Sequence, residues 1–375
     1  MSERPSFTVE YLEPVELDAE PLPDEFSPSR LRRSLAVLSA VVLVVAAVIV
    51  LVPGLASLRS RLMGAQPEWL VLAVLLQLGS CAGYVLVFRG VFCRHMSWRT
   101  SSEIGLSELA ANSVFSVGGA GGLALGAWIL RRGGLPGSFI ARRTVAFFLL
   151  TSLANVSFLA IGGAALATGL LHGSPGVVFG LVPAVAGLAA ITLALAARRL
   201  AGALARRSLR GRLAAAASAA ADGVDEARRL LRTLDPLILG GASAYLLFDV
   251  AMLGVCFAAF GNDVPPAGVL LVAYLVGQLG SLIPIPGGIG GVDAGLIGTL
   301  VLYGVDATDA AVAVIAYRAL LLTIPALLGL PALAVLRRRL RTETHDIAAC
   351  APGQSVEVLG RGLVRRPEQG FHPAG

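Results

Sequence analysis

Three charged residues stand in otherwise apolar sequence: Asp249, Asp293 and Arg318. A charge at the centre of a membrane span costs about 2.5–3.5 kcal/mol on insertion scales, so such a residue faces a partner, a wet cavity or a ligand. Arg318 lies about eight residues into an apolar run, roughly 12 Å deep at the rise of an α-helix. Its planar guanidinium can donate two hydrogen bonds to one phosphate. Asp249 and Asp293 are its candidate partners. They either complete a structural ion pair or tune and release a bound anion. Asp293 closes a second unusual stretch, Gln278 to Gly295, which carries Pro284, Pro286 and the glycines Gly287, Gly288, Gly290 and Gly291. The prolines stop a helix near Ile283, and the glycines permit a tight reversal. Free amides at a broken helix end add anion-binding donors. Broken backbone at membrane depth survives only where protein buries it or it lines a wet cavity. The stretch therefore predicts a re-entrant hairpin, with a surface loop as the competing reading.

The elements that hold these residues follow from composition. Hydrophobic residues make up 56% of the chain and charged residues 14%, with a mean hydropathy of +0.78. This is the composition of a polytopic membrane protein. Every basic residue is arginine, and the formal net charge is +6. The four cysteines, Cys81, Cys93, Cys256 and Cys350, form no CxxC pair. No disulfide framework or zinc site is expected.

Residues 1–29 are acidic and aperiodic and read as a disordered cytoplasmic tail, with no cleaved signal. Residues 30–341 read as one transmembrane domain. Arg30, Arg32 and Arg33 precede an apolar run from Leu35 to Val52, which places the N-terminus in the cytoplasm. A second span runs roughly from Trp69 to Phe88 and ends at Arg89, Arg94 and Arg99. Residues 101 to 130 are flanked by arginines at both ends. They hold Glu103, Glu108 and Asn112, then Gly118, Gly119, Gly121 and Gly122. This segment is expected to enter from the cytoplasm, turn at the glycines and return. Glu108 and Asn112 then mark a cytoplasmic entrance or, equally, a helix face at the membrane surface. Spans follow at about 144–171 and 177–197. An arginine-rich helical connector over 198–235 is expected to lie near anionic headgroups. Pro236 to Phe260 crosses again, the hairpin of Asp293 follows from outside, and a last span runs from about Ala310 to Leu336. Residues 342–375 read as a disordered cytoplasmic tail.

The two glycine turns are related. GGAGG begins at Gly118 and GGIGG at Gly287, and 287 − 118 is 169. The same offset relates Gly126 to Gly295. Each half, about 31–171 and 177–336, then holds three spans and one hairpin. An odd number of spans inverts the second half. The expected fold is all-α and integral to the membrane: six full spans and two glycine-rich hairpins in an inverted repeat.

Other chemistry has little support. The four histidines, His95, His172, His345 and His372, sit outside the spans. No serine elbow, P-loop or metal spacing is present, so neither catalytic residues, cofactor nor metal is expected. A loose GxGxxA match at Gly119 lacks the strand that dinucleotide binding needs. Nucleic acid is not an expected partner of the connector, which lies between spans and has no interleaved aromatics. Gln77, Tyr84, Tyr245 and Gln278 are expected to make interhelical hydrogen bonds.

Residues Ile283 to Gly295, followed by Tyr317, Arg318 and Pro325, resemble the lysylphosphatidylglycerol synthase transmembrane (flippase-like) family. Its pattern is close to P-x-P-G-G-x-G-x-x-E-x-G, then a Y-R pair in the last helix. Asp293 stands where the family usually has Glu, which keeps the charge and shortens the reach. The resemblance covers roughly 31 to 341. It implies a lipid flippase whose substrate site includes Tyr317 with Arg318, the acids and the glycines. Only a short tail follows Arg341, so lipid aminoacylation is not expected. Two further classes stand beside this one: a small-solute or ion transporter, and a non-transporting accessory whose partner is an envelope-lipid biosynthetic enzyme.

Overall fold

The computed structural model describes residues 64–114, 120–173, 176–206, 212–282, 290–340, 345–351, 355–359 and 362–366. The acidic N-terminal stretch, the expected span Leu35 to Val52, and the turn residues Gly118, Gly119, Gly287 and Gly288 lie outside them.

The described chain is helical. Its elements are α1 (Pro67–Phe92), α2 (Trp98–Val114), α3 (Ala120–Arg132), α4 (Gly137–Ala167), α5 (Val177–Arg206), α6 (Arg212–Arg232), α7 (Pro236–Ala259), α8 (Ala267–Gln278), a 3-10 turn at Leu279–Leu282, α9 (Gly291–Leu302), α10 (Ala307–Arg339) and α11 (His345–Ala348). A short antiparallel pair, β1 (Ser355–Leu359) and β2 (Gly362–Arg366), follows. Local chemistry sets the boundaries. Pro67 and Pro236 open α1 and α7, where their missing N–H would be unbonded anyway. Asp235 caps α7 by accepting from Leu237 N at 2.9 Å, and Asp306 caps α10 by accepting from Thr308 N at 2.8 Å.

Four described helices are long and apolar enough to cross a membrane: α1, α4, α7 and α10. The span expected at 177–197 falls within α5, whose apolar part is Val177–Leu193. The hairpin arms α2, α3, α8 and α9 have 17, 13, 12 and 12 residues. Each is shorter than the ~20 residues a span takes. Leu75, Val178 and Leu327 are more than half exposed, as side chains facing lipid would be.

The offset of 169 recurs in the elements themselves. It separates the starts of α1 and α7 (236 − 67) and those of α2 and α8 (267 − 98). The matched helices α1 and α7 lie side by side and run antiparallel. Gln66 N donates to Ala259 O at one end, while Gly90 packs on Ile238 at the other. Between them a Cβ on Gly83 would sit 2.6 Å from Tyr245 N, so only glycine allows this approach. Gly163, Gly180 and Gly187 bring α4 and α5 together in the same way. One apolar core gathers around α2 and α3, with Phe88, Ile104, Leu125 and Ile129. A second gathers around α8 and α9, with Leu253, Tyr274, Leu296 and Tyr317.

Two features differ from the sequence expectation. Cys93 and Cys350 form a disulfide, although their spacing suggested none. The tail read as patternless also returns to the domain: Ile347 is buried against Gly133 between α3 and α4, where any Cβ would clash. The Asp346 carboxylate accepts from Thr100 Oγ1 at 2.7 Å and from the Ser97 hydroxyl. Proximity across 257 residues leaves no trace in local spacing.

Candidate functional site

The second hairpin is built around Asp293. α8 tightens into its 3-10 turn, where Ser281 Oγ donates to Gln278 O at 2.6 Å. The chain reappears at Gly290 with a φ of +88°, a conformation glycine adopts without strain. Asp293 lies in the first turn of α9. Its Oδ2 accepts from Gly290 N at 2.8 Å, and its Oδ1 lies 2.7 Å from Arg318 Nε. The helix end and the guanidinium therefore converge on one anion. Arg318 is 8% exposed, and it sits on α10 beside the fully buried Tyr317. The arms pack backbone to backbone. A Cβ on Gly280 would fall 2.2 Å from the Gly291 carbonyl, and one on Gly295 would fall 3.1 Å from Gly277 Cα.

Asp249 is placed differently. Its Oδ2 accepts from Tyr274 Oη of α8 at 2.9 Å. Among the described residues its Oδ1 and the Tyr317 hydroxyl have no hydrogen-bond partner. Of the two acids left open as partners of Arg318, the structure selects Asp293. Tyr274 was not singled out in the sequence, because a tyrosine in an apolar helix carries no local signal of its partner.

The first hairpin has a different polar set. Asn112 Oδ1 accepts from Gly122 N at 2.7 Å and ties α2 to the start of α3. Glu108 is 1% exposed, which rules out a surface face for it. Its Oε2 accepts from Tyr84 Oη at 2.8 Å. Its side chain occupies the space that Gly126 leaves open, since a Cβ there would fall 1.6 Å from Glu108 Oε1. Gly121 is buried beside Gly122. Nearer the start of α2, Glu103 bonds Arg99 at 3.0 Å and Arg339 at 2.8 Å.

The connector docks on α4 through Glu226, which meets Arg229 at 2.6 Å and Arg143 at 3.1 Å. Burial alone would push the Glu226 carboxyl up, but the Arg229 hydrogen bond and the charges of Arg143, Arg229 and Arg142 hold it below the usual carboxylate range. Asp225, Arg228, Arg229, Arg232 and Thr233 line a cavity of about 510 Å³. Among the described residues no group of three or more His, Cys, Asp or Glu side chains could hold a metal.

The family model for the lysylphosphatidylglycerol synthase TM region matches residues 37–329, a stretch that includes both hairpins and the Asp293–Arg318 pair. No curated protein matches the chain.

Proposed function

Because the chain belongs to the lysylphosphatidylglycerol synthase TM region family, we propose that it moves an anionic or zwitterionic envelope lipid between leaflets of the inner (plasma) membrane. The lipid is a phospholipid or a polyprenyl-phosphate-linked lipid. The observation that carries this reading is the convergence on Asp293 of an ion pair from Arg318 Nε and a hydrogen bond from Gly290 N. The Asp293 carboxylate holds the place that a lipid phosphate oxygen would take. An arriving phosphate exchanges with it on Arg318, and the returning carboxylate releases the lipid. Acyl or prenyl chains stay in the bilayer throughout. The protein acts without covalent chemistry and is not an enzyme.

The proposed topology is an inverted repeat of six spans and two hairpins, with both termini cytoplasmic. Antiparallel packing of α1 on α7 at the repeat offset supports it. The arginine-lined cavity of the connector is the proposed seat for anionic headgroups at the membrane surface. The direct test uses purified protein in liposomes, with a panel of headgroup-labelled phospho- and prenyl-phospho-lipids and a membrane-impermeant quencher. Faster crossing than in protein-free vesicles, lost in Arg318→Ala, is the expected result. If no lipid crosses faster and none co-purifies, the accessory reading replaces this one.

A further inference from the structure

Among the described residues, two acids lie buried in the helical core without a countercharge, one in each half. Glu108 and Asp249 are each 1% exposed, and each bonds a tyrosine hydroxyl from a neighbouring helix: Tyr84 of α1 and Tyr274 of α8. Both sit along the α1–α7 seam, where the rings of Tyr84 and Tyr245 meet edge to face at 5.6 Å. Asp249 faces Ser80 and Cys81 from α1, Tyr274 from α8 and Tyr317 from α10, with Tyr245 one turn away on its own helix. Glu108 faces Tyr84 from α1 and Gly126 from α3. On α10, which packs on α2 through Gly329 and Leu106, the cation nearest in kind is Arg339, and it is bonded to Glu103. Arg318 is ion-paired with Asp293. Among the described residues, no ion pair reaches either acid.

A bare carboxylate so placed, away from water and cations, is one of the most unfavourable groups a protein can bury. Asp249 Oδ1 and Gln77 Oε1 both lack a donor among the described residues. Gly79 packs on the Phe248 ring and Gly83 on Tyr245 N, which sets Gln77 and Asp249 at neighbouring levels of the seam. A proton on the carboxyl turns one acceptor into a donor and removes the charge in the same step.

We propose that Glu108 and Asp249 are proton-binding carboxyls, one in each half, seated on opposite sides of the α1–α7 seam. This goes beyond the lipid reading and does not depend on it. The test uses the full chain in lipid nanodiscs and needs no lipid substrate. Infrared difference spectra recorded between neutral and mildly acidic pH should show two protonated-carboxyl bands that shift in deuterium oxide. Asp249→Asn should remove one, Glu108→Gln the other, and the double variant both. Dicyclohexylcarbodiimide, which adds to protonated buried carboxyls, gives a second measurement on the unaltered protein. Mass spectrometry should find the adduct on both acids, with labelling that falls as pH rises and ignores sodium. Absence of both bands and both adducts overturns the proposal. So does protection from the carbodiimide by sodium at fixed pH, which would make the bound ion a metal.

Discussion

The two hairpins share a plan and differ in how they handle charge. At matched positions the first has Glu108 against Gly126 and the second has Gly277 against Gly295. A carboxylate fills the gap between arms in one, and the arms touch directly in the other. The charge of the second hairpin sits instead at the start of α9, as Asp293 ion-paired with Arg318. Their counterparts, at 293 − 169 and 318 − 169, are Ala124 and Leu149. Along the offset of 169 the glycine placement is kept, while the Asp293–Arg318 pair has uncharged residues at the matching positions of the first half. Duplicated backbone can be kept for its shape while the chemistry is lodged in one half.

The sharpest way to break this comparison is at Gly280, whose counterpart is Ala111. Gly280→Ala would press Cβ to 2.2 Å from backbone atoms that have no rotamer to yield. It should destabilise the protein by about 3 kcal/mol or more, whereas Ala111→Gly should cost only about 1 kcal/mol. Thermal unfolding in detergent measures both, and equal losses would show that the arms pack alike. Arg318→Ala comes next. Stranding the partly buried Asp293 should cost about 2–3 kcal/mol, less than a fully buried pair because Asp293 is partly exposed. Adding Asp293→Ala should restore stability. If lipid transfer also returned in that double variant, Arg318 would be a structural residue and the two hairpins would be functionally alike. In the first hairpin, Gly126→Ala should cost about 1–3 kcal/mol through overpacking on Glu108. Glu108→Gly should relieve it, because it copies the second hairpin. A double-mutant cycle that came out additive would remove the proposed contact.

A smaller effect concerns only the first hairpin, which α11 covers. Burial would raise the Asp346 carboxyl, but hydrogen bonds from Ser97 and Thr100, with the charge of Arg339 nearby, hold it below the ordinary carboxylate range. Its stabilising contribution is therefore present above that range and lost as pH falls through the depressed value. The difference in unfolding temperature between wild type and Asp346→Asn should be present at neutral pH and vanish in acid. The smallest effect is expected at the disulfide. Without reductant, alkylation should tag Cys81 and Cys256 in unfolded protein and leave Cys93 and Cys350 blocked. In the proposed topology the arginine-rich end where the disulfide lies is cytoplasmic, and cytoplasm normally keeps thiols reduced. Tagging Cys350 in intact and lysed cells therefore also tests the proposed sidedness.

Much of this architecture was legible in the sequence, because breaks in helices have chemical causes. The prolines and glycine runs fall between the short helices α2 and α3 and between α8 and α9, arginines bounded the apolar runs, and the offset of 169 carried over from glycines to whole helices. Side-chain partners were less legible. Depth along a helix can be counted, but the face a residue occupies depends on packing, so Asp249 and Asp293 stayed equal candidates for Arg318. Glu108 looked compatible with a surface because its burial depends on the room left by Gly126 on another helix. Tyr274 and Asp346 gave no signal because each is defined by a partner distant in sequence.

The bond between Cys93 and Cys350 also has a mechanical meaning. It closes residues 93 to 350 into a covalent ring that contains both hairpins and the connector. A force applied to the two ends of the chain passes through that bond and bypasses everything inside the ring. Pulling would extend only the flanking segments until the bond is reduced. The enclosed chain, with a sequence separation of 257, would then add roughly 850–900 Å of contour length at full extension.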